Sequence, residues 1–445
     1  MPAPRSILPL LWLAHPLAAA SAGDLWVGPP GSGQPYSSVQ AAIDAAQPGD
    51  RVLLLPGSYG PARIDKPLQL TGAGSGSTRL LAPAGVVPLE VAGAGSGGRV
   101  RLGGFELGLE PGVDAAPQAF LWVHGLAGRL EAVDLKIARL EHDAHPAGGA
   151  YLWIQDCAQA QFSAVRVYTE AGLGGSDAHD APLAGLLAQG SRVWFSDGRL
   201  EASDLCLDLT GDKPGAAGIR LENSELHLAL CNTAGGSAQG SSRSLAGGPA
   251  LVLEGSRAVL YGGKSNQMRG GNAAASGPGG AVLAAPGAAL SADSALVHGA
   301  DVVFIPGAGP SGSAAQPLWI EPGALYDPRP DRLPSMWIPT PIGPLGQSSP
   351  VFLEGDPGAV QFWWLVLETA PAIDLPGIFG PFLLDTSLVV HHPPVWLNVD
   401  GQGSDLAFVP GNPNLQGRML AYQSIEFDGQ NLQLAPPWFV SFELL

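Results

Sequence analysis

The sequence predicts an all-β fold: a right-handed parallel β-helix, or solenoid, with a short N-terminal capping helix and a small C-terminal β domain. Three observations favour this fold. The 62 glycines and 42 prolines make up 104 of the 445 residues, charged residues are only 14%, and one apolar pattern recurs every 30 to 34 residues. Many turns between short, buried strands produce such a composition, whereas disorder requires lower hydrophobicity and higher charge.

The recurring pattern is a small residue followed by a short apolar segment. Its seven copies begin at Pro88, Ala119, Ala150, Ala184, Ala217, Ala250 and Gly280. A turn-forming pair then leads to a second apolar segment, at Gly190, Asn223, Gly255 and Gly287. Glycine and asparagine tolerate the positive φ of a sharp corner. A unit of this length cannot bury its apolar face alone, so successive rungs are expected to stack.

The N-terminal segment is the most specific stretch of the chain. Ser37 or Ser38 can cap a short helix that has Val39 and Ile43 on its apolar face, and Pro48-Gly49 ends it. Residues 36–59 resemble the entry segment of pectin-lyase-like right-handed β-helix proteins of the secreted bacterial type, and residues 64–72 are similar to their first coil. The resemblance covers about residues 25–315. It implies the fold and leaves the activity open, because that scaffold serves lyases, hydrolases, epimerases and adhesins.

Four regions are expected along the chain. Residues 1–22 have a lone charge at Arg5, an apolar stretch and a closing Ala20-Ser21-Ala22, as in a secretory signal peptide cut before Gly23. Residues 23–321 form the β-helix domain. Residues 322–345 form a proline-rich linker. Residues 346–445 form a β-rich domain that is similar to a C-terminal module of secreted bacterial proteins.

Charge limits the partners of this protein. Removal of Arg5 with the signal peptide leaves 21 basic residues against 39 acidic ones, and no Lys/Arg cluster is visible along the sequence. Nucleic acid is therefore not an expected partner. No apolar run of about 18 residues follows the signal peptide, so we do not expect an integral membrane protein. The oligomeric state stays open. The three cysteines, Cys157, Cys206 and Cys231, are interpreted as small core residues, with one disulfide as the alternative.

One polar constellation is a candidate for chemistry. Asp143 and His145 recur as Asp177 and His179, and each histidine lies five residues before the small residue that opens its rung. Equivalent positions of successive rungs stack about 4.8 Å apart, so the two pairs are expected to be neighbours.

Three readings of this constellation stay open. Asp143, Asp177, Asp180 and Asp212 could hold a divalent cation such as Ca²⁺. Asp143, His145, Asp177 and His179 could act as acid and base on a glycan. In the third reading these residues are solvated turn residues, repeated because the rungs are duplicated.

Aromatic residues recur in the rungs as well. Trp122 and Trp153 occupy the same rung position, near Tyr151 and Trp194. We interpret them as an internal aromatic stack, with a sugar-binding face as the alternative. Arg166 and Arg192 lack the flanking motif of the calcium-dependent pectate lyases. The expected function is therefore a non-catalytic β-helix that binds extracellular polysaccharide or acts as a structural or adhesive module. The alternative is a polysaccharide lyase or glycoside hydrolase that uses the Asp/His cluster.

Overall fold

A computed structural model describes most of the chain from residue 23 onward. The described residues are 23–93, 95, 97–113, 117–139, 149–169, 183–202, 216–236, 247–261, 267–270, 294–307, 320, 323–339, 342–343, 345–366, 369–376, 378–384, 389–408 and 415–442. Within these ranges the chain is nearly all β, as the composition predicts.

The first part of the described chain contains 22 strands and a helix. They are β1 (Asp24–Val27), α1 (Val39–Ala45), β2 (Arg51–Leu54), β3 (Gly57–Tyr59), β4 (Ala62–Ile64), β5 (Gln69–Gly72), β6 (Thr78–Ala82), β7 (Leu89–Ala92), β8 (Arg99–Leu109), β9 (Ala119–His124), β10 (Arg129–Arg139), β11 (Ala150–Gln155), β12 (Gln159–Thr169), β13 (Ala184–Gln189), β14 (Arg192–Glu201), β15 (Ile219–Glu222), β16 (Glu225–Ala234), β17 (Leu251–Glu254), β18 (Arg257–Leu260), β19 (Gln267–Arg269), β20 (Ala295–His298), β21 (Val303–Ile305) and β22 (Leu325–Pro328).

The remaining strands follow β22. They are β23 (Ser335–Trp337), β24 (Ile342–Gly343), β25 (Ser348–Glu354), β26 (Val360–Val366), β27 (Thr369–Asp374), β28 (Ile378–Phe379), β29 (Pro381–Leu384), β30 (Val389–His391), β31 (Val395–Trp396), β32 (Gln402–Phe408), β33 (Met419–Phe427), β34 (Leu432–Leu434) and β35 (Trp438–Phe442). The stretch predicted as a proline-rich linker thus contains β22, which pairs in parallel with β20, and β23, which pairs with β25.

Two parallel sheets form a solenoid, which confirms the predicted fold class. The seven-stranded sheet has the order β17-β15-β13-β11-β9-β7-β4. The main path of the fifteen-stranded sheet runs β1-β2-β5-β8-β10-β12-β14-β16-β18-β20-β22. Each strand pairs in parallel with its counterpart one rung away, for example Leu121 with Leu152 and Val123 with Ile154. The inward side chains of both sheets form one continuous apolar core.

A bend divides each long strand of the larger sheet into two segments. The bend residues all have positive φ: Gly104, Asp134, Ala164, Asp197 and Leu230. The left-handed region turns the chain sharply, so a rung has three sides. We call the part of each strand before the bend the proximal segment and the part after it the distal segment.

A second series of positive-φ residues joins the seven-stranded sheet to the proximal segments. It comprises Gly125, Asp156, Gly190, Asn223 and Gly255. The sequence predicted positive φ at Gly190, Asn223 and Gly255, and the structure confirms these three. Gly287 lies outside the described residues, and the strand that pairs with Arg257–Leu260 is Ala295–His298.

A ladder of buried serines follows these corners. The Ser224 hydroxyl accepts a hydrogen bond from the Ser191 backbone N–H at 3.1 Å and donates to the Glu222 carbonyl at 2.9 Å. Ser256 and Ser294 repeat the contact, since the N–H of Ser224 donates to Ser256 Oγ and that of Ser256 to Ser294 Oγ. Each serine therefore satisfies a buried N–H that the turn would otherwise leave without an acceptor.

The register of the repeat is as predicted for the rungs at Ala119, Ala150, Ala184 and Ala217. It is shifted by one residue for two others. Leu89 pairs with Leu121, and Leu251 pairs with Ile219, so neither Pro88 nor Ala250 is the equivalent of Ala119. A shift of one residue moves a side chain to the opposite face of a strand. The copy at Gly280 lies outside the described residues.

The entry helix forms as the sequence predicts. Ser38 is its N-cap, with Oγ accepting from the Ala41 N–H at 3.4 Å, and Val39 and Ile43 are buried. Lys66 Nζ donates to the carbonyls of the last turn, at 3.1 Å for Ile43. The helix packs on β1, β2 and β4, at the edge of the first rung. It covers an edge that would otherwise be open to pairing with other chains.

The C-terminal module contains antiparallel sheets and packs along the side of the solenoid. Strands β23, β25 and β32 form one sheet, and β24, β35, β33, β26 and β30 form the main path of another. The module covers the proximal segments: Phe439 N–H donates to Ser163 Oγ at 3.1 Å, and Ser196 Oγ donates to the Pro437 carbonyl at 2.9 Å. Val133 packs with Phe439 in one apolar cluster. The proximal face of the solenoid is therefore an internal interface.

Candidate functional site

The residues that the sequence singled out for chemistry fall outside the described part of the chain. These are Asp143, His145, Asp177, His179, Asp180 and Asp212. In the sequence they lie in segments that link β10 to β11, β12 to β13 and β14 to β15. The acid/base and Ca²⁺ hypotheses that rest on them stay predictions. Among the described residues, no group of three or more His, Cys, Asp or Glu side chains is arranged to hold a metal ion.

The most distinctive exposed feature of the described rungs is the outer face of the seven-stranded sheet. Its strands alternate inward Leu and Val with outward aromatic and polar residues, as in Leu121, Trp122, Val123 and His124 of β9. The inward pair is fully buried, whereas Trp122 and His124 are partly exposed. We call this surface the open face, because the C-terminal module packs on the proximal segments instead.

Two tryptophans lie side by side on the open face. Trp122 on β9 and Trp153 on β11 are register partners, with ring centroids 5.8 Å apart and planes inclined by 32°. The two rings do lie side by side, but the interpretation of an internal stack is wrong for them, because both are on the outer side of the solenoid. Hydrophobicity alone could not decide between the two sides, because each tryptophan is flanked by apolar residues that point inward.

A histidine–carboxylate pair lies next to the tryptophans. The His124 ring centroid is 4.3 Å from that of Trp122, and His124 Nε2 is 2.9 Å from Glu90 Oε1 on the preceding rung. Arg63 approaches the same carboxylate, with Nη1 3.6 Å from Oε1. His124 and Glu90 cannot be paired from the sequence pattern, because they are 34 residues apart and the repeat pattern places the rung of Glu90 one residue out of register.

Polar side chains continue the open face along the later rungs. Trp153 Nε1 donates to Gln189 Oε1 at 2.9 Å, and Gln189 Nε2 donates to Glu222 Oε2 at 2.7 Å. Arg220 bridges Glu222 and Glu254, at 2.9 and 3.0 Å. The carboxylates and guanidiniums named on this face form ion pairs with one another. The face therefore presents hydrogen-bonding groups, and its net charge is small.

The proximal face also carries a row of aromatic side chains, and these are buried. Trp194 is 1% exposed, and its ring stacks on His227 at 5.4 Å and 12° beneath the C-terminal module. His227 Nδ1 is 3.1 Å from the Tyr261 hydroxyl, and Nε2 is 3.1 Å from Glu225 Oε1. Burial lowers the pKa of His227, and the neighbouring Glu225 carboxylate opposes that shift. Trp194 is therefore an interface residue.

The cysteines of the described rungs are packing residues. Cys157 is a free thiol, and both Cys157 and Cys231 are buried in the apolar core, which confirms for these two the interpretation as small core residues. Burial raises the pKa of the Cys157 thiol to about 12, so at neutral pH it is not a reactive thiolate. Cys206 lies outside the described residues. None of the described helices is long and apolar enough to cross a membrane.

Comparison with known proteins gives no family for this chain. No protein-family model matches the sequence, and none of the curated proteins matches it.

Proposed function

We propose that this protein is a secreted β-helix of the pectin-lyase-like type that binds neutral polysaccharide along its open face. The observation that carries the proposal is the pair Trp122 and Trp153, partly exposed and in register on adjacent rungs. Flat apolar rings suit the apolar faces of sugar rings, and polar groups around them fix the orientation of a bound sugar.

The polar neighbours of the tryptophans favour a neutral ligand. Sugar hydroxyls both donate and accept hydrogen bonds, and the open face offers both kinds of partner in His124, Gln189 and Glu222. The charged pairs on this face compensate one another, while the whole chain carries a formal charge of −17. The net negative charge of the chain repels an acidic polysaccharide, and the open face has no surplus of cations to offset that repulsion.

Binding can be tested with variants of the two tryptophans. Affinity electrophoresis and calorimetry against neutral and acidic polysaccharides should find retention by a neutral glycan, and Trp122→Ala or Trp153→Ala should weaken it about tenfold each. Trp396→Ala is the matched control, since Trp396 is 72% exposed in the C-terminal module. Equal effects of all three variants would overturn the proposal for the open face.

Secretion has its own test. Expression of the full chain with its first 22 residues should yield an exported protein whose N-terminus, measured by mass spectrometry, is Gly23. Retention of residues 1–22 in the exported protein would contradict this part of the proposal. The outcome is independent of whether the open face binds a glycan.

Catalysis on a bound glycan is the second candidate, and the His124–Glu90 contact of 2.9 Å is the observation that favours it. A histidine that is hydrogen-bonded to a carboxylate can act as a general base. Incubation with the retained polysaccharide should then release reducing ends or unsaturated products, and His124→Gln should abolish the release while weakening binding less than Trp122→Ala or Trp153→Ala does. Binding without product release would leave the non-catalytic proposal in place and reject this one.

A further inference from the structure

A row of nitrogen-bearing side chains runs along the distal segments, on a different side of the solenoid from the open face. Lys136, Arg166, Arg199 and Asn232 are register partners on β10, β12, β14 and β16. Register partners of a parallel sheet are about 4.8 Å apart, so three cationic side chains are immediate neighbours. The sequence shows no such cluster because the three are 30 and 33 residues apart.

The flanking cations of this row have carboxylate partners. Lys136 Nζ is 3.2 Å from Glu106 Oε2, and Arg199 Nη2 is 2.6 Å from Glu201 Oε1. For Arg166, at the centre, the described residues provide no ion pair within 4 Å and no hydrogen bond from its guanidinium. Its register neighbours Lys136 and Arg199 carry positive charge, while the carboxyls of Asp134 and Asp197 lie close enough to attract its guanidinium.

Arg166 lines a cleft of about 340 Å³ together with Asp197, Gly198, Arg199 and Asn232. Asp197 is the bend residue of β14, with φ of 50°. Burial raises the pKa of its carboxyl, and the charge of Arg166 opposes that rise. The described residues give the Asp197 carboxyl no hydrogen bond.

A second carboxyl near Arg166 is already engaged. Asp134, the bend residue of β10, accepts hydrogen bonds from the N–H of Ser75 at 3.0 Å and from its hydroxyl at 2.8 Å. Both of its oxygens thus have hydrogen-bond donors without a ligand. Among the described residues that line the cleft, Asp197 is the one with a carboxyl. The lining side chains that remain, two guanidiniums and an amide, supply donors.

We propose that this cleft binds an oxyanion, the sulfate, phosphate or carboxylate group of a ligand, between the guanidiniums of Arg166 and Arg199. Guanidinium groups donate paired hydrogen bonds that match the oxygens of such groups, and the side-chain amide of Asn232 supplies a further donor. The Asp197 carboxyl repels the same ligand and weakens its binding. This site lies on the distal segments and is independent of glycan binding at the open face.

Two substitutions test the proposal: one removes a positive charge of the cleft and the other removes a negative charge. Calorimetry at constant ionic strength, with inorganic sulfate, inorganic phosphate and monomeric glucuronate as probes, should show binding of at least one of them. Arg166→Gln should weaken it about tenfold, and Asp197→Asn should strengthen it several-fold, because it removes the opposing charge. A preference for glucuronate would indicate that the ligand is an acidic sugar. A preference for sulfate or phosphate would indicate that the ligand is a sulfate or phosphate ester. Either result supports the site.

Arg257→Gln is the matched control, because Arg257 is 50% exposed on a proximal segment and pairs with Glu225 at 3.5 Å, away from the cleft. It should leave anion binding unchanged. Circular dichroism verifies that each variant is folded. The proposal is overturned if none of the three probes binds, if Arg257→Gln matches the effect of Arg166→Gln, or if Asp197→Asn weakens binding.

Discussion

Outward-facing tryptophans lie on two sides of the described solenoid, the proximal face and the open face. One of these sides is buried under the C-terminal module, and the other is partly exposed. On the proximal face Trp194 is 1% exposed, stacked on His227 and covered by the C-terminal module. On the open face Trp122 and Trp153 are partly exposed, and Trp153 donates its indole hydrogen bond to a neighbouring side chain. An outward aromatic residue in a β-ladder is therefore not by itself evidence of a ligand, since the same chemistry serves an internal interface.

The largest expected difference between the two faces is in stability. Trp194→Ala should lower the free energy of unfolding by about 4 kcal/mol, because it leaves a cavity beneath the module, whereas Trp153→Ala should cost about 1 kcal/mol. Urea denaturation followed by circular dichroism measures both values. Similar losses for the two variants would show that the covered and open faces do not differ as described.

Carboxylates offer a second comparison of the two faces. Glu131 is 1% exposed on the proximal side, and its carboxylate lies 2.8 Å from Arg101 and 3.6 Å from Arg99. Glu131→Gln should destabilise the protein by about 3 kcal/mol, because it leaves buried positive charge without compensation. Glu90→Gln on the open face should cost about 0.5 kcal/mol. The same denaturation experiment tests the pair, and a larger loss for Glu90→Gln would contradict the expectation.

A buried carboxyl gives the covering module a pH-dependent stability. Glu426 is fully buried on β33, and burial raises its pKa from the usual 4.5 to about 7. The folded state thus favours the neutral carboxyl, so the contribution of Glu426 to stability is greatest below about pH 4.5 and falls as the pH rises through about 7, by about 3 kcal/mol in all.

The glutamine variant isolates this contribution. Glu426→Gln should remove the loss between about pH 5 and about pH 8, because glutamine stays neutral throughout. Urea midpoints at the two pH values measure it. Asp374→Asn, at a carboxyl that is 79% exposed in the same module, should leave the pH dependence unchanged. An unaltered loss in Glu426→Gln would show that another group causes it.

A smaller loss than at Trp194, Glu131 or Glu426 is expected at the corner that joins the two faces. Ser224→Ala should cost about 1.5 kcal/mol, because the buried N–H of Ser191 loses its acceptor. Ser404→Ala, at an exposed position of β32, should change stability by less than about 0.5 kcal/mol. A neutral Ser224→Ala would indicate that the serine ladder does not contribute to the stability of the corner.

Local patterns predicted much of the solenoid. The Ser38 cap, the entry helix and the positive φ of Gly190, Asn223 and Gly255 follow from side-chain chemistry within a few residues, and the structure confirms them. The rungs at Pro88 and Ala250 were assigned one residue out of register. Proline and alanine openings fit more than one alignment, and only the backbone hydrogen bonds between rungs distinguish them.

The site was less predictable than the fold. His124 and Glu90 are joined by a contact between residues 34 positions apart, and the row of Arg166 and Arg199 arises in the same way. Such neighbours appear only once the exact register of every rung is known, because a shift of one residue exchanges the inward and outward sides of a strand.

The sequence by itself determined that this protein is a β-solenoid with a capped N-terminal end and a further β-rich region, because repeat length, turn residues and helix caps are local properties. The tertiary structure alone decided where the C-terminal module packs. By covering the proximal segments it buries Trp194, and it leaves Trp122 and Trp153 accessible on another side. Burial depends on what packs against a strand from elsewhere in the chain, and no pattern within the strand encodes that.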